Sequence, residues 1–171
     1  MDKIKEMAER LEQRMYGLVP YNISPIQQGI QFGHAVQEYN NIARKSDMHV
    51  KPGDSNYHGF YDWADNDKTF IILNGGTTNN NEESLGTLNY AESELYSLGI
   101  QIATFHEPDL GDQLTAIVFL VDEHIYDYAK YPTYDFMRDE VSEFEYYETL
   151  FGKEYEHILD MRGFLSKYKL A

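Results

Sequence analysis

Four polar side chains recur on one side of a predicted helix near the start of the chain. They are Gln27, Gln31, His34 and Glu38. At about 100° per residue, these positions fall within roughly 60° of one another, beside a wider apolar surface. Amides and an imidazole both donate and accept hydrogen bonds, which suits a ligand cleft. An ordinary solvated helix face is the alternative interpretation of the same stripe.

A second group of ionisable side chains lies far along the chain, in the segment Glu107–Gln113. A pair formed by His34 and Glu107 could activate a water molecule, while Gln27, Gln31 or a backbone N–H stabilises an oxyanion. His34 has an equally simple structural role, as a packed imidazole that donates to a backbone carbonyl. The sequence therefore leaves both catalysis and packing open for this histidine.

Two other patterns match metal or anion sites only in part. The first is a cluster of residues close in sequence: His106, Glu107, Asp109 and Asp112. No second histidine has the spacing of a metal site, so we predict no metal and no cofactor. The second is the Gly75-Gly76-Thr-Thr loop, which could form an anion-binding nest but lacks the Gly-Lys-Ser/Thr ending of a P-loop. The sequence favours a simple turn there.

The elements that must position these residues begin with a short strand, Met15 to Tyr21, and the helix after it. Ser24 is the predicted N-cap and Pro25 occupies the first helical position. Gln27 lies three residues after the cap and completes a capping box. The start of the helix is thus specified by three residues.

Apolar and β-branched runs predict three more strands, with one further helix between the first and second of them. The strands cover Lys68–Asn74, Ile100–Phe105 and Leu114–Val121, and the helix covers Thr87–Leu98. Before them, an irregular connection from residue 46 to 67 is pinned to the body by Tyr57, Phe60, Tyr61 and Trp63. We expect the last two strands to form an antiparallel pair. This order of elements predicts an α/β sandwich around a small mixed sheet.

Length and composition favour a single domain over the whole chain, 1–171. An amphipathic helix is predicted within residues 1–14, and the α/β core spans 15–121. Residues 122–171 form an acidic extension whose many aromatic side chains distinguish it from a disordered tail. The helices expected in this extension are Tyr134–Phe151 and Glu154–Tyr168.

The formal charge of −15 and a pI near 4.6 disfavour bulk binding to nucleic acid, which depends on many lysines and arginines. A local basic patch remains open, with Arg44, Lys45 and Lys51 as its candidates. The chain has no cysteine, which excludes disulfides and thiolate chemistry. Its longest apolar run, 116–121, is too short to cross a bilayer. We therefore expect a soluble cytoplasmic protein with no membrane partner.

The first helix carries Gln31-Phe-Gly-His34-Ala35, which resembles the Gln-x-x-His-Ala signature of the peptidyl-tRNA hydrolase 2 family. The resemblance extends from Tyr16 to Val121. It implies a three-layer α/β/α sandwich with a four-stranded mixed sheet, here followed by the helical extension. It also implies a homodimer, and a site where the first helix meets the loop before the last strand.

Motif position assigns the residues of that implied site. Gln31 and His34 match the family's helix residues, and Glu107 or Asp109 lies where the family has its catalytic aspartate. Thr115 matches the family's hydroxyl on the last strand. These assignments rest on the resemblance alone.

The chain departs from the family at Gln27, because the family has a lysine four residues before the signature glutamine. A cation that could bind phosphate or polarise an ester is therefore missing. The family's glycine-rich aspartate loop is replaced by Glu107-Pro-Asp-Leu-Gly-Asp112. Whether the chain is an enzyme stays open. Two further segments, 73–78 and 105–110, together with the first helix resemble a group of uncharacterised tailed-phage proteins.

Three functions from different classes remain. The first is a phage accessory protein that binds a small ligand such as a nucleotide in the cleft, or a host protein through its acidic C-terminal region. Its candidate ligand-binding residues are Gln27, Gln31, Glu38, Asp109 and Thr115. The second is a peptidyl-tRNA or aminoacyl-ester hydrolase with His34 and Glu107 as catalytic residues. The third is an anti-defence protein that sequesters a nucleotide signal or blocks a host enzyme in the host-cell cytoplasm.

Overall fold

Four strands form one mixed sheet in the computed structural model, which describes residues 10–46, 59–79, 81 and 83–171. The strands are β1 (Gln13–Val19), β2 (Thr69–Asn74), β3 (Ile102–Glu107) and β4 (Gln113–Asp122). They lie in the order β2-β1-β4-β3, with β1 parallel to β2 and antiparallel to β4. Strand β3 is antiparallel to β4, which confirms the predicted pairing of the last two strands. The fold is thus α/β with a four-stranded mixed sheet.

Six α-helices accompany the sheet in the part of the chain that the structure describes. They are α1 (Pro25–Ser46), α2 (Phe60–Asp62), α3 (Thr87–Ser97), α4 (Glu123–Tyr126), α5 (Glu143–Phe151) and α6 (Tyr155–Leu165). A π-helical turn over Trp63–Asp67 follows α2, and single 3-10 turns cover Pro108–Leu110 and Gly152–Glu154. None of the described helices is long and apolar enough to span a membrane.

The start of α1 has the predicted capping box. The backbone N–H of Gln27 donates to the hydroxyl oxygen of Ser24 at 3.3 Å, and the N–H of Ser24 donates to Oε1 of Gln27 at 3.1 Å. Two backbone donors at the helix start are satisfied in this way. The Gln27 side chain therefore serves the helix start.

Two clusters of buried apolar side chains lie on opposite faces of the sheet, because successive residues of β4 point to alternate sides. Ile117, Phe119 and Val121 join one cluster, whereas Ala116 and Val118 join the other. Helices α3 and α6 supply the first cluster with Leu88, Ala91, Leu95, Ile158, Met161 and Phe164. Helix α1 supplies the second with Phe32, Ala35, Tyr39 and Ala43. The core therefore fixes α1 against the opposite face from α3 and α6.

Close packing of α1 on the sheet depends on Gly17 of β1. A Cβ atom at Gly17 would lie 2.2 Å from the ring of Phe32, so no larger residue fits without moving the helix or its ring. Phe60 and Trp63 are buried in the same cluster, as the predicted packing role of the aromatic connection requires. Tyr57, the first aromatic residue of that connection, lies outside the described residues.

Several predicted boundaries were wrong. Strand β1 begins at Gln13, so the predicted N-terminal helix does not continue to residue 14; residues 1–9 lie outside the described part. Strand β3 runs two residues later than expected, to Glu107. Residues 134–142 form turns, and α5 begins only at Glu143, where Ser142 and Glu145 make a second capping box. Within residues 134–142, hydrogen bonds between side chains and the backbone take the place of the backbone bonds of a helix.

Candidate functional site

A buried hydrogen-bond network joins α1 to the two strands at one edge of the sheet. Its centre is Gln31, which is 4% exposed. The amide nitrogen Nε2 of Gln31 donates to Oε2 of Glu107 at 2.5 Å. The amide oxygen of Gln31 accepts from the hydroxyl of Thr115 at 3.1 Å. Both ends of the amide are used, so the side chain is held in one orientation.

Thr115 reaches this network through a β-bulge in β4. Phe105 pairs with Ala116 and His106 pairs with Leu114, so Thr115 is an extra residue without a partner in the ladder. Leu114 and Ala116 therefore belong to different core clusters although they are two residues apart. The bulge directs the fully buried Thr115 toward α1, and its hydroxyl lies 3.1 Å from Gln31 and 3.2 Å from the carbonyl of Phe105.

Glu107 is the carboxylate of the network and ends strand β3. Its Oε2 accepts from Gln31, and its Oε1 accepts from the backbone N–H of Asp109 at 3.3 Å. The second bond caps the 3-10 turn that follows the strand. Asp109 contributes through its backbone, while its own side chain is exposed. The carboxylate is thus fixed by two donors from different parts of the chain.

His34 lies one helical turn after Gln31 and stacks on Phe105. The ring centroids are 4.4 Å apart and the ring planes differ by 15°. Phe105 and Glu107 are two residues apart on β3, so their side chains share the face toward α1. Within the described ranges, no hydrogen bond or ion pair joins His34 to Glu107. The water-activating pair of His34 and Glu107 therefore stays a prediction.

The other two residues of the predicted stripe lie outside the network. Gln27 is part of the helix cap, and Glu38 is exposed one turn beyond His34. The buried side of α1 is narrower than its apolar surface, because Ile26 and Ile30 face outward with exposures of 77% and 52%. The four polar residues thus lie at the boundary between the buried and exposed sides of α1. Among them, only Gln31 is buried.

The residues considered for metal binding are separated. His106 points to the opposite face of the sheet from Glu107, and its Nδ1 lies 3.0 Å from the carbonyl oxygen of Asp112. Among the described residues, no three side chains of the metal-ligating types come together. His106 instead helps to hold the turn between β3 and β4.

The loop after β2 uses its backbone donors within the protein. The N–H groups of Gly76, Thr77 and Thr78 donate to side-chain oxygens of Asn74, Thr87 and Asn22, respectively. The Thr78 hydroxyl also donates to the carbonyl of Leu114, next to the bulge. An anion nest needs free N–H groups, so this loop is a structural turn.

Burial and hydrogen bonds shift the pKa values of several charged side chains in the C-terminal extension. Burial lowers the pKa of Arg162, which is 5% exposed and donates to the carbonyls of His124 and Tyr131. A hydrogen bond from Lys130 lowers the pKa of Glu123. These contacts fasten α6 and the chain after α4 to each other, away from the network of α1.

The site as a whole offers a fixed carboxylate, a fixed amide and a stacked imidazole. Phe105 is the residue that sequence reasoning missed, and its position two residues before Glu107 was the available signal. No protein-family model matches the chain, and no curated protein matches it significantly. The contacts of Gln31, Glu107 and Thr115 therefore carry the functional assignment.

Proposed function

We propose that this protein binds a small planar ligand with N–H donors at the surface beside Gln31, Glu107 and His34. The observation that carries the proposal is the clamped carboxylate: Gln31 holds Glu107 at 2.5 Å, and Thr115 holds the other end of the same amide. A preorganised acceptor binds a donor without first having to be ordered. His34, stacked flat on Phe105, supplies an aromatic edge beside it.

The resemblance to the peptidyl-tRNA hydrolase 2 family remains part of this proposal. Three residues assigned by motif position, Gln31, Glu107 and Thr115, meet in one network, which supports a related three-layer α/β/α architecture. On the same resemblance we propose a homodimer. From the resemblance of residues 73–78 and 105–110 to tailed-phage proteins we propose a phage accessory role in the host-cell cytoplasm, with anti-defence as its biological setting.

Binding is favoured over hydrolysis by the partners of Glu107. Its two oxygens accept from Gln31 and Asp109 and keep further lone pairs for a ligand, whereas His34 stacks on Phe105 and forms no hydrogen bond with Glu107 among the described residues. The family's lysine position holds Gln27, whose side chain is occupied in the helix cap. With no cation at that position, the ligand's recognised part is neutral, and the amino edge of a nucleobase has the required donors. Nucleosides should then bind as well as their phosphates.

Isothermal titration calorimetry with adenosine, cytidine, uridine and the corresponding monophosphates tests the proposal. We expect adenosine or cytidine to bind, the monophosphate to add less than about threefold, and Glu107→Gln to weaken binding at least about tenfold. Gln37→Leu is a matched control, because Gln37 is an exposed glutamine of α1 that contacts Asn41. The proposal fails if no nucleoside binds, or if Glu107→Gln binds as the parent protein does.

Hydrolysis is the second candidate because the family resemblance assigns Glu107 or Asp109 to the position of the catalytic aspartate. Its test is release of the acyl group from an N-acetyl-aminoacyl-tRNA, compared among the parent protein, His34→Ala and Glu107→Gln. Binding without chemistry predicts the same background rate for all three. Turnover that both substitutions abolish would establish the hydrolase instead.

A further inference from the structure

The chain before α5 and the start of α5 expose several large apolar side chains that lie close together in the sequence. We define the apolar turn as residues 134–144, which include the first two residues of α5. Phe136 and Met137 are each 77% exposed, and Val141 and Phe144 are 47% and 55% exposed. Single exposed apolar residues are common on protein surfaces, but a contiguous set is typical of an interaction site.

The apolar turn is held in a defined conformation by its own polar groups. The N–H of Asp135 donates to Oδ2 of Asp139 at 2.7 Å, and the N–H of Met137 donates to Oδ1 of Asp135 at 3.0 Å. The hydroxyl of Tyr134 donates to the carbonyl of Val141 at 3.1 Å, which closes the turn. The backbone that carries Phe136 and Met137 is therefore ordered before binding, so the cost of binding is confined to the ordering of side chains.

The base of the turn is anchored to α5. The N–H of Tyr134 donates at 3.1 Å to the hydroxyl of Tyr147, which is only 3% exposed. Ser142 caps α5 through its bonds with Glu145. The segment that carries the exposed apolar side chains is thus held to α5 by hydrogen bonds.

Carboxylates alternate in the sequence with the exposed apolar side chains. Residues 134–148 contain six carboxylates and one cation, Arg138, which pairs with Asp135 at 3.3 Å. The segment therefore carries a net charge of −5. Nucleic acid, an anionic membrane or the same face of a second copy would be repelled, whereas a basic surface would be attracted.

We propose that the apolar turn is the docking surface for a basic amphipathic segment of a partner protein. Phe136 and Met137 are the anchors, and aromatic residues and methionine are enriched at the centres of protein interfaces. Lysine or arginine side chains bordering the partner's apolar surface pair with the carboxylates of the turn. This surface shares no residue with the nucleoside site, so either assignment can fail alone.

The test uses two synthetic helical peptides of equal length, one built from Leu and Lys and the other from Leu and Glu. Binding to the full chain is measured by fluorescence anisotropy. The Leu/Lys peptide should bind, the Leu/Glu peptide should not, and a Phe136→Ser/Met137→Ser double variant should bind the Leu/Lys peptide at least about tenfold more weakly. Higher salt should weaken binding by the parent protein.

Ile26→Ser is the matched control, because Ile26 is also 77% exposed but lies on α1. It should bind the Leu/Lys peptide as the parent protein does. Equal binding by the double variant would show attraction by charge alone and would overturn the proposal. Self-association in sedimentation velocity that the double variant abolishes would also overturn it, by assigning the turn to a second copy.

Discussion

Replacing Thr115 by valine removes the hydroxyl that donates to the Gln31 amide and keeps the side-chain volume nearly the same. The oxygen of the Gln31 amide then loses its donor at a position where only 4% of the residue is exposed. A buried acceptor left without a donor costs about 1–3 kcal/mol. We expect Thr115→Val to lower the free energy of unfolding by that amount.

Thr115→Ser is the control that keeps the hydroxyl and removes a buried methyl group. Losing one methyl costs about 1 kcal/mol through packing alone. If the hydroxyl stabilises the fold, Thr115→Val should lower the free energy of unfolding more than Thr115→Ser does. If packing of the methyl group alone matters, Thr115→Ser should lower it more.

A double-mutant cycle with Gln31→Met isolates the hydrogen bond itself. Methionine has a similar length and offers no amide oxygen, so the cost of Thr115→Val should fall by at least about 0.5 kcal/mol in that background. Urea unfolding monitored by circular dichroism gives all four values, provided the dependence on urea is unchanged. An equal cost of Thr115→Val in both backgrounds would refute the network as a coupled unit.

Three further outcomes follow from packing, capping and charge. Gly17→Ala should lower the free energy of unfolding by about 1–3 kcal/mol, since its Cβ would meet a buried ring. Gly29→Ala has open space around its Cβ and should raise the free energy of unfolding by roughly 0.5–1 kcal/mol in the same urea assay. Ser142→Ala should cost about 0.5–2 kcal/mol in thermal unfolding by removing the cap of α5. Hydrogen bonds from Arg10 lower the pKa of Asp67 in the folded protein. The carboxylate therefore stabilises the fold when the pH is above its pKa in the unfolded chain, and this stabilisation is lost as the pH falls through its pKa in the folded protein. Asp67→Asn should therefore be less stable than the parent near neutral pH, and unfolding curves should converge below about pH 4.

Local signals predicted the start of α1 and the strands well. The capping box of Ser24 and Gln27 involves residues three apart, so the sequence contains all of its parts. The strands stand out as apolar, β-branched runs. Gln31 and Thr115 could be assigned to one site only through the family resemblance, because they are 84 residues apart.

Features that depend on the whole fold could not be predicted. Residues 114–121 are apolar apart from Thr115, so no alternation marks the bulge. The outward direction of Ile26 and Ile30 depends on which side of α1 meets the sheet, and the apolar surface is wider than that contact. In the turn at 134–142, side chains form hydrogen bonds with the backbone that compete with helix formation. The Tyr134 hydroxyl donates to a backbone carbonyl, and the Asp135 carboxylate accepts from a backbone N–H.

The bulge places residues with different structural roles side by side in one strand, since Thr115 binds Gln31 while Leu114 and Ala116 belong to the two core clusters. Without Thr115, Leu114 and Ala116 would be adjacent and would still pair with His106 and Phe105 in an unbroken ladder. Both core clusters would keep their members, because adjacent strand residues already point to opposite faces. Deletion of Thr115 would thus keep the inward and outward pattern of both core clusters and remove only the donor that fixes the Gln31 amide.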